Sequence, residues 1–342
     1  IMEGVFTEEA RELGIPVTII PQEKRWDLSV LSKVKKFINN CGCDLVHCHG
    51  ARANYISLFI RGGVKVPMIT TLHSDYKLDF KDNPRKQLIY TPINAFALRR
   101  YKHILAVTKA FKYMLMLRGF KEERIDVIYN GIDFSQELQT YDMYTFFKNI
   151  NVPHDLNKKY VGIAARLFAV KGVNVFLDMA KIIADKREDI DFIILGNGEM
   201  WKQCQDFIKG NKLENRVYMA GQVTDPVMMN SYYKYIDVNT LTSYSESFPY
   251  ALLEGARCKC ATVATAVGGI PEMIIDGESG CLVQSGDSKA LAECVEMLCD
   301  KDDIRIRYGV NFYERAKENF SSQAMANTHK KIYEKIIKEN VK

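Results

Sequence analysis

Residues 244–272 read YSESFPYALLEGARCKCATVATAVGGIPE, and this stretch decides the fold. Two carboxylates, Glu246 and Glu254, stand around a predicted helix start. An apolar run over 261–264 reads as a buried strand, and Gly268-Gly269 opens a second short helix. Pro249 suits the first helical position, where its missing N–H costs nothing, with Ser247 and Phe248 just outside. A helix start carries unpaired N–H groups and partial positive charge, so it attracts phosphate. A carboxylate beside it is better suited to accepting hydrogen bonds from sugar hydroxyls. Phosphate donors next to hydroxyl acceptors fit a sugar nucleotide.

Outward from that stretch, strand-like and helix-like segments alternate, the pattern of parallel sheets covered by helices. Strands are predicted over 44–48, 67–72, 104–107 and 125–128, then over 160–164, 191–195, 216–220, 236–241, 261–264 and 280–283. Ahead of them lie a helix over about 3–13, a strand over 16–20 and a helix over about 28–39. A chain of 342 residues calls for two domains. The least patterned stretch, 133–159, sets the junction at its far end: a domain over 1–155, a second over 156–320, and a helix over 321–342 that reaches back to the first.

Open α/β sheets bind ligands beyond the carboxyl ends of their strands. Five loops of the second half sit there. After 160–164 come Arg166 and Lys171-Gly172, two cations next to a helix start and suited to a diphosphate. After 191–195 comes Gly196-Asn197-Gly198-Glu199, whose small residues let a ligand approach the backbone. It is not a dinucleotide fingerprint, because Trp201 stands where the third glycine would be. Val223 follows the next strand as a candidate wall for a base; the Glu246 loop and the Gly268–Glu272 turn complete the set. Each alone is ordinary turn chemistry; together on one rim they describe a pocket for phosphate and hydroxyl groups. Glu254, among Ala251, Leu252, Leu253 and Ala256, is either a binding group or a structural acid satisfied by its neighbours.

In the first half His47 and His49 alternate at a strand end and His73 follows the next strand. Cys41, Cys43 and Cys48 lie close by in sequence, but Cys-x-Cys followed by His-Cys-His lacks the usual metal-ligand spacing. The reading preferred is that His47 or His73 bonds a sugar hydroxyl while the other is a core residue. The D-x-D at Asp189–Asp191 runs into a buried strand and reads as no metal site.

Nine scattered cysteines, an odd number, fit a reduced compartment better than a disulfide framework. No apolar run approaches the ~20 residues that cross a bilayer. The net charge of +5 is uneven: 81–124 holds eleven Lys and Arg against three acids, an excess of eight, interleaved with aromatic and aliphatic residues. That segment reads either as solvated helix faces or as a surface for anionic lipid or a phosphate-bearing acceptor; no nucleic-acid motif accompanies it.

These residues resemble a family-four retaining glycosyltransferase of the GT-B fold, in which two Rossmann-like doubly wound domains face a cleft. Glu246 and Glu254 match its E-x7-E motif, and Arg166 and Lys171 match its cationic pair. VIYNGID (127–133), ILGNGE (194–199), GGIPE (268–272), DLVHCHG (44–50) and TTLHS (70–74) follow in the family's order. The resemblance implies that Arg166 and Lys171 hold the donor diphosphate, with Gly196, Asn197 and Val223 also lining the donor. It implies that Glu254 binds the ribose, and that Glu246 contacts the transferred sugar against the Ser247, Phe248 and Pro249 backbone. His73 approaches from the opposite domain, with His47, His49 and Arg52 on the acceptor side. Catalysis is expected of Glu246, His73, Arg166 and Lys171, without metal or cofactor. Many members read Glu-Gly-Phe-Gly where this chain reads Glu-Ser-Phe-Pro, so Pro249 removes one backbone donor. The family's first strand and glycine-rich loop are expected ahead of Ile1, leaving the first domain incomplete at its N-terminus.

The expectation is a transferase moving a sugar, with retention, from a nucleotide diphosphate to a glycan or lipid-linked acceptor. The donor is expected to carry uridine diphosphate, with guanosine diphosphate second. The location expected is cytoplasmic, peripheral on the inner face of the membrane. A nucleotide-sugar epimerase of the same scaffold and a non-catalytic nucleotide-sugar-binding protein are the alternatives.

Overall fold

The structure, a computed structural model, describes residues 5–22, 27–78 and 83–341. Two compact units emerge: residues 1–106, 115–127 and 329–342 in the first, and 107–114 and 128–328 in the second. The second therefore begins well before the junction expected at 155. Phe146 and Phe147, on helix Met143–Asn149, are buried against Tyr160, Tyr232 and Ile193, which draws that segment into the second core.

Among its described residues the first unit holds four parallel strands in the order β1-β2-β3-β4: β1 Val46–His49, β2 Met68–Leu72, β3 His103–Ala106 and β4 Ile125–Val127. Helix Ser29–Asn40 packs on helix Gly50–Ile60 through Ile38, Ile56 and Ile60, the apolar stripe its 3.6-residue period dictates. The strand expected over 16–20 is not formed. The described residues there are irregular, with Pro16 and Thr18 exposed and Val17, Ile19 and Ile20 half-buried; Pro16 brings no N–H to a ladder, and the segment joins neither described sheet. Helix Ser322–Val341 ends among the first unit's residues, where Tyr333 meets His47. Lys81 and Asp82, part of the basic segment, and the first residues of the helix expected from 3 lie outside the described residues.

The second unit holds six parallel strands: β5 Lys159–Ala164, β6 Ile190–Leu195, β7 Val217–Gly221, β8 Val238–Leu241, β9 Ala261–Thr265 and β10 Cys281–Val283. Their order is β10-β9-β8-β5-β6-β7. The chain winds outward from β5 through β6 to β7, crosses back to β8 on the other side of β5, and winds out through β9 to β10. The reversal falls between β5 and β8, and the loops leaving those two strands part there in opposite directions. Val161, Ile163, Phe192, Ile194, Val238 and Val263 are almost wholly buried, as expected of parallel strands covered on both faces. Phe176, Met179, Ala180 and Ile183 on helix Val173–Ala184 supply one cover. Asp191, at 2% exposure, sits between Lys158 Nζ (2.9 Å) and Arg216 Nε (2.8 Å), which offsets the cost of burying its charge.

Candidate functional site

The carboxyl edge of the second sheet is knitted loop to loop. From the β5 loop, Leu167 N donates to Asn197 O of the β6 loop at 3.0 Å, and Gly196 N donates to Gly221 O at the end of β7 at 2.7 Å. On the other side Tyr244 N donates to Val170 O at 2.8 Å, and Thr242 Oγ1 donates to the Lys171 and Gly172 carbonyls. Gly269 N then donates to Ser247 O at 3.1 Å, tying the β8 loop to the β9 turn. Two glycines make these approaches possible. A Cβ on Gly196 would stand 1.8 Å from Ala165 O, and one on Gly268 would stand 1.7 Å from Glu246 O. Both residues also hold positive φ, +138° and +55°.

At the reversal point Lys171 Nζ donates to Glu246 Oε1 at 2.5 Å, and Ser243 Oγ donates to the same oxygen at 2.7 Å. Glu246 is 8% exposed and Lys171 20%, so this is a charge-assisted pair largely out of water. The Ser243 hydroxyl was not singled out from the sequence; its signal is a polar run, Thr242-Ser243, at the end of a buried strand. Arg166 is exposed and lays its guanidinium over the Phe168 ring, 5.4 Å from the centroid. Among the described residues it forms no salt bridge.

Helix Tyr250–Arg257 follows the Glu246 loop. Pro249 is not its first residue, as the sequence suggested, but the extended residue just before it (φ −73°, ψ 122°). Phe248 and Pro249 are both buried, and Phe248 stacks on Tyr129, so packing rather than helical geometry fixes this entry. Glu254, one turn in, is partly buried and accepts a long hydrogen bond from the Tyr233 hydroxyl at 3.4 Å. Burial pushes its carboxyl above the usual range, against Tyr233 and Arg257.

Glu272, in the GGIPE turn, accepts from Lys109 N, Ala110 N and the Tyr129 hydroxyl at 2.8–2.9 Å. It thereby caps the amino end of helix Lys109–Leu117 and is already spent on structure. Asn197 is exposed; its side-chain oxygen accepts from Gly198 N, and its carbonyl serves the β5 loop. Val223 packs against the Tyr232–Met228 cluster, which leaves only part of its surface free.

In the first unit the carboxyl ends of β1 and β2 gather histidines. His49 Nδ1 and His73 Nε2 share a hydrogen bond at 2.9 Å, and both residues are only partly open to solvent. His47 lies behind them, with Tyr333 Oη 2.6 Å from Nδ1 and Thr71 Oγ1 2.7 Å from Nε2. His329 stands 5.8 Å from it, centroid to centroid. Burial first, then the neighbouring imidazoles, lowers the His47 pKa to about 3; His49 and His73 are lowered for the same reasons. No sequence signal announced His329 or Tyr333, which reach the cluster from the far end of the chain. Arg52 is exposed on helix Gly50–Ile60 and forms no salt bridge among the described residues.

Residues 146–319, just over half of the chain, match the family described as glycosyl transferases group 1, and residues 3–136 match the family 4 glycosyltransferase model. The chain belongs to the group 1 glycosyltransferases. Its relatives include an uncharacterized glycosyltransferase, MJ1178, of Methanocaldococcus jannaschii, 27% identical over 88% of this chain and 78% of that protein. Another is the N,N'-diacetylbacillosaminyl-diphospho-undecaprenol α-1,3-N-acetylgalactosaminyltransferase of Campylobacter jejuni, 24% identical over 99% of this chain and 90% of that one. Among solved structures, Anabaena Alr3699/HepE in complex with UDP aligns over 98% of this chain and 90% of its own, with TM-score 0.80 and 21% identity. A second structure of that protein holds UDP-glucose. The fold is thus of the GT-B type, built on two Rossmann-like domains with parallel sheets, and this group 1 glycosyltransferase is an enzyme of sugar transfer. Among its described residues no helix is long and apolar enough to cross a membrane.

Proposed function

We propose that this glycosyltransferase takes its sugar from a nucleotide diphosphate, uridine first and guanosine second, and passes it with retention to a glycan or lipid-linked acceptor. One observation carries the donor reading. A cation and a carboxylate from the two loops that part at the reversal of winding, Lys171 and Glu246, stand within hydrogen-bonding distance of each other. A ligand with adjacent phosphate and hydroxyl groups exchanges that internal pair for two external ones. In this reading Lys171 and Arg166 engage the diphosphate, whose leaving oxygen gains negative charge as the glycosidic bond breaks. Glu246 accepts from hydroxyls of the transferred sugar, against the backbone of Ser247, Phe248 and Pro249. Glu254 accepts from the ribose; two strong hydroxyl donors would stabilise a carboxylate that burial disfavours. Gly196 and Asn197 let the donor approach the β6 loop, and Val223 offers an apolar edge to the base.

His73, His49, His47 and Arg52 are the acceptor-side residues in the same proposal, with His73 taking part in catalysis. No metal or cofactor has a step in it. UDP and UDP-glucose in the Anabaena structures, and the polyprenyl diphosphate in the Campylobacter relative's name, support the substrate classes. A seat on the cytoplasmic face of the membrane belongs to the same reading, motivated by helix Pro84–Arg100. Leu88, Ile89 and Phe96 are exposed there beside Arg85, Lys86, Arg99 and Arg100.

The test is nucleotide release from a panel of UDP- and GDP-sugars, with and without acceptor. Release that depends on acceptor supports the proposal. Donor isomerised without acceptor, or bound without turnover, would replace it.

A further inference from the structure

Ligands of parallel sheets gather at the carboxyl ends of the strands. The first unit also encloses a cavity at the opposite end, against the amino ends of β2 and β3, of about 360 Å³. Val66, Met68 and Ile336 give it apolar wall, the last contributed by helix Ser322–Val341. Arg61, Lys65 and Lys102 stand around it, all exposed, and none forms a salt bridge among the described residues. One carboxylate, Glu339, answers these three cations, and it lies 3.4 Å from His103 Nε2.

Three like charges around one hollow repel one another. A compact anion offsets that repulsion, since phosphate oxygens accept from guanidinium and ammonium donors together. The volume is at the lower end of small-molecule sites, which suits a phosphate with a short apolar or neutral appendage rather than a whole nucleotide sugar. We propose that this cavity binds a phosphate-bearing anion, engaged by Arg61, Lys65 and Lys102, separate from the donor loops of the second unit. Because helix Ser322–Val341 supplies one wall, such a ligand would also hold the end of that helix on the first sheet.

The experiment titrates pyrophosphate into the full chain by calorimetry with UDP already saturating, and repeats it with vesicles of phosphatidylcholine containing phosphatidylglycerol. Saturable pyrophosphate binding that weakens at least about tenfold in Arg61→Ala/Lys102→Ala supports the site and a soluble ligand. Vesicle binding lost in the same variant, without pyrophosphate binding, supports the site with the phosphate on a lipid headgroup. Lys65→Ala is the second variant and is expected to weaken whichever ligand binds. Absence of both kinds of binding, or binding that both variants retain in full, overturns the proposal. UDP affinity, read in the same cell, separates this outcome from failure of the donor site.

Discussion

Lys171 Nζ and Glu246 Oε1 are 2.5 Å apart, so the two loops that part at the reversal of winding are closed on each other by one ion pair. The pair neutralises a carboxylate that is only 8% exposed. Removing either partner leaves the other without its counter-charge. The two losses nevertheless differ in what they do to function. Lys171→Ala removes a phosphate contact and is expected to weaken UDP binding at least about tenfold. Glu246→Ala removes a contact to the sugar only, so UDP affinity is expected to stay within about threefold while turnover falls by about a thousandfold or more. Calorimetry with UDP beside initial rates with donor and acceptor reads both. A large affinity loss in Glu246→Ala would contradict the role assigned to it.

Glu254 sets stability against binding. Its carboxyl ionises less readily folded than unfolded, because burial outweighs the Tyr233 and Arg257 contacts. Ionisation therefore opposes folding. The penalty is absent at pH below the ordinary carboxylate value, grows as pH climbs towards the raised folded value, and is complete above it. Glu254→Gln keeps the shape and removes the charge, so its melting temperature at pH 7 is expected to exceed that of the unmodified chain. UDP affinity is expected to fall by about tenfold or more, since the ribose loses a charged acceptor. A variant that melts lower and binds UDP as before would sink the assignment.

The parallel strands were legible because burial on both faces writes near-continuous apolar runs, as in Ile190–Leu195, that few other structures tolerate. Each of the ten strands among the described residues lies within two residues of its predicted bounds. The segment over 16–20 carries the same composition in miniature, yet composition cannot say whether a neighbour will pair with it. Of the candidate site, Arg166, Lys171 and Glu246 were legible as polar residues just past strand ends. What the sequence could not show is reach across the chain. Tyr333 and His47 are 286 residues apart and share a 2.6 Å hydrogen bond. The first turn of helix Lys109–Leu117 is capped by Glu272, more than 160 residues away. Pairings of that span depend on how finished elements pack, and no local spacing encodes them.

Gly268 is the backbone device beneath Glu246. Its φ of +55° is a left-handed conformation that L side chains adopt at a cost, and a Cβ there would stand 1.7 Å from the Glu246 carbonyl oxygen. Gly268→Ala is therefore expected to cost more than about 2 kcal/mol of stability in urea titrations, because neither the turn nor the carbonyl can yield cheaply. Whatever folds should turn over more slowly as well, with Glu246 displaced. Gly210 has open space around the same position and ordinary φ, and Gly210→Ala serves as the control, expected near neutral or slightly stabilising.

Helix Pro84–Arg100 gives the membrane reading a direct check. Ile89, Phe96 and Arg100 recur at helical spacing, and the Arg100 guanidinium stacks on Phe96 at 4.7 Å, leaving apolar and cationic surface side by side. Arg99→Glu/Arg100→Glu is expected to abolish sedimentation with phosphatidylglycerol-containing vesicles, since each basic residue near an anionic surface contributes about 1 kcal/mol and reversal doubles the change. Turnover on a soluble acceptor analogue should be unaffected. Equal sedimentation of both proteins would remove the membrane from the proposal.

His47 ties the end of helix Ser322–Val341 to the first sheet, and it does so as a neutral imidazole between Tyr333 and Thr71. Its folded pKa of about 3 lies far below the ordinary 6.5, so the unfolded chain takes up a proton that the folded chain refuses. Stability from this group is fully present above pH 6.5 and is lost as pH falls from there towards 3. His49, His73, His329, Thr71 and Tyr333 face the ring; His49 and His73 are lowered in the same sense and add to the trend. Melting temperature is expected to drop between pH 7 and pH 5, with amide exchange over 329–341 accelerating first. His47→Gln, which can still hydrogen-bond but cannot charge, should make that slope shallower. An unchanged slope in the variant would show that the tie is not sensitive to acid.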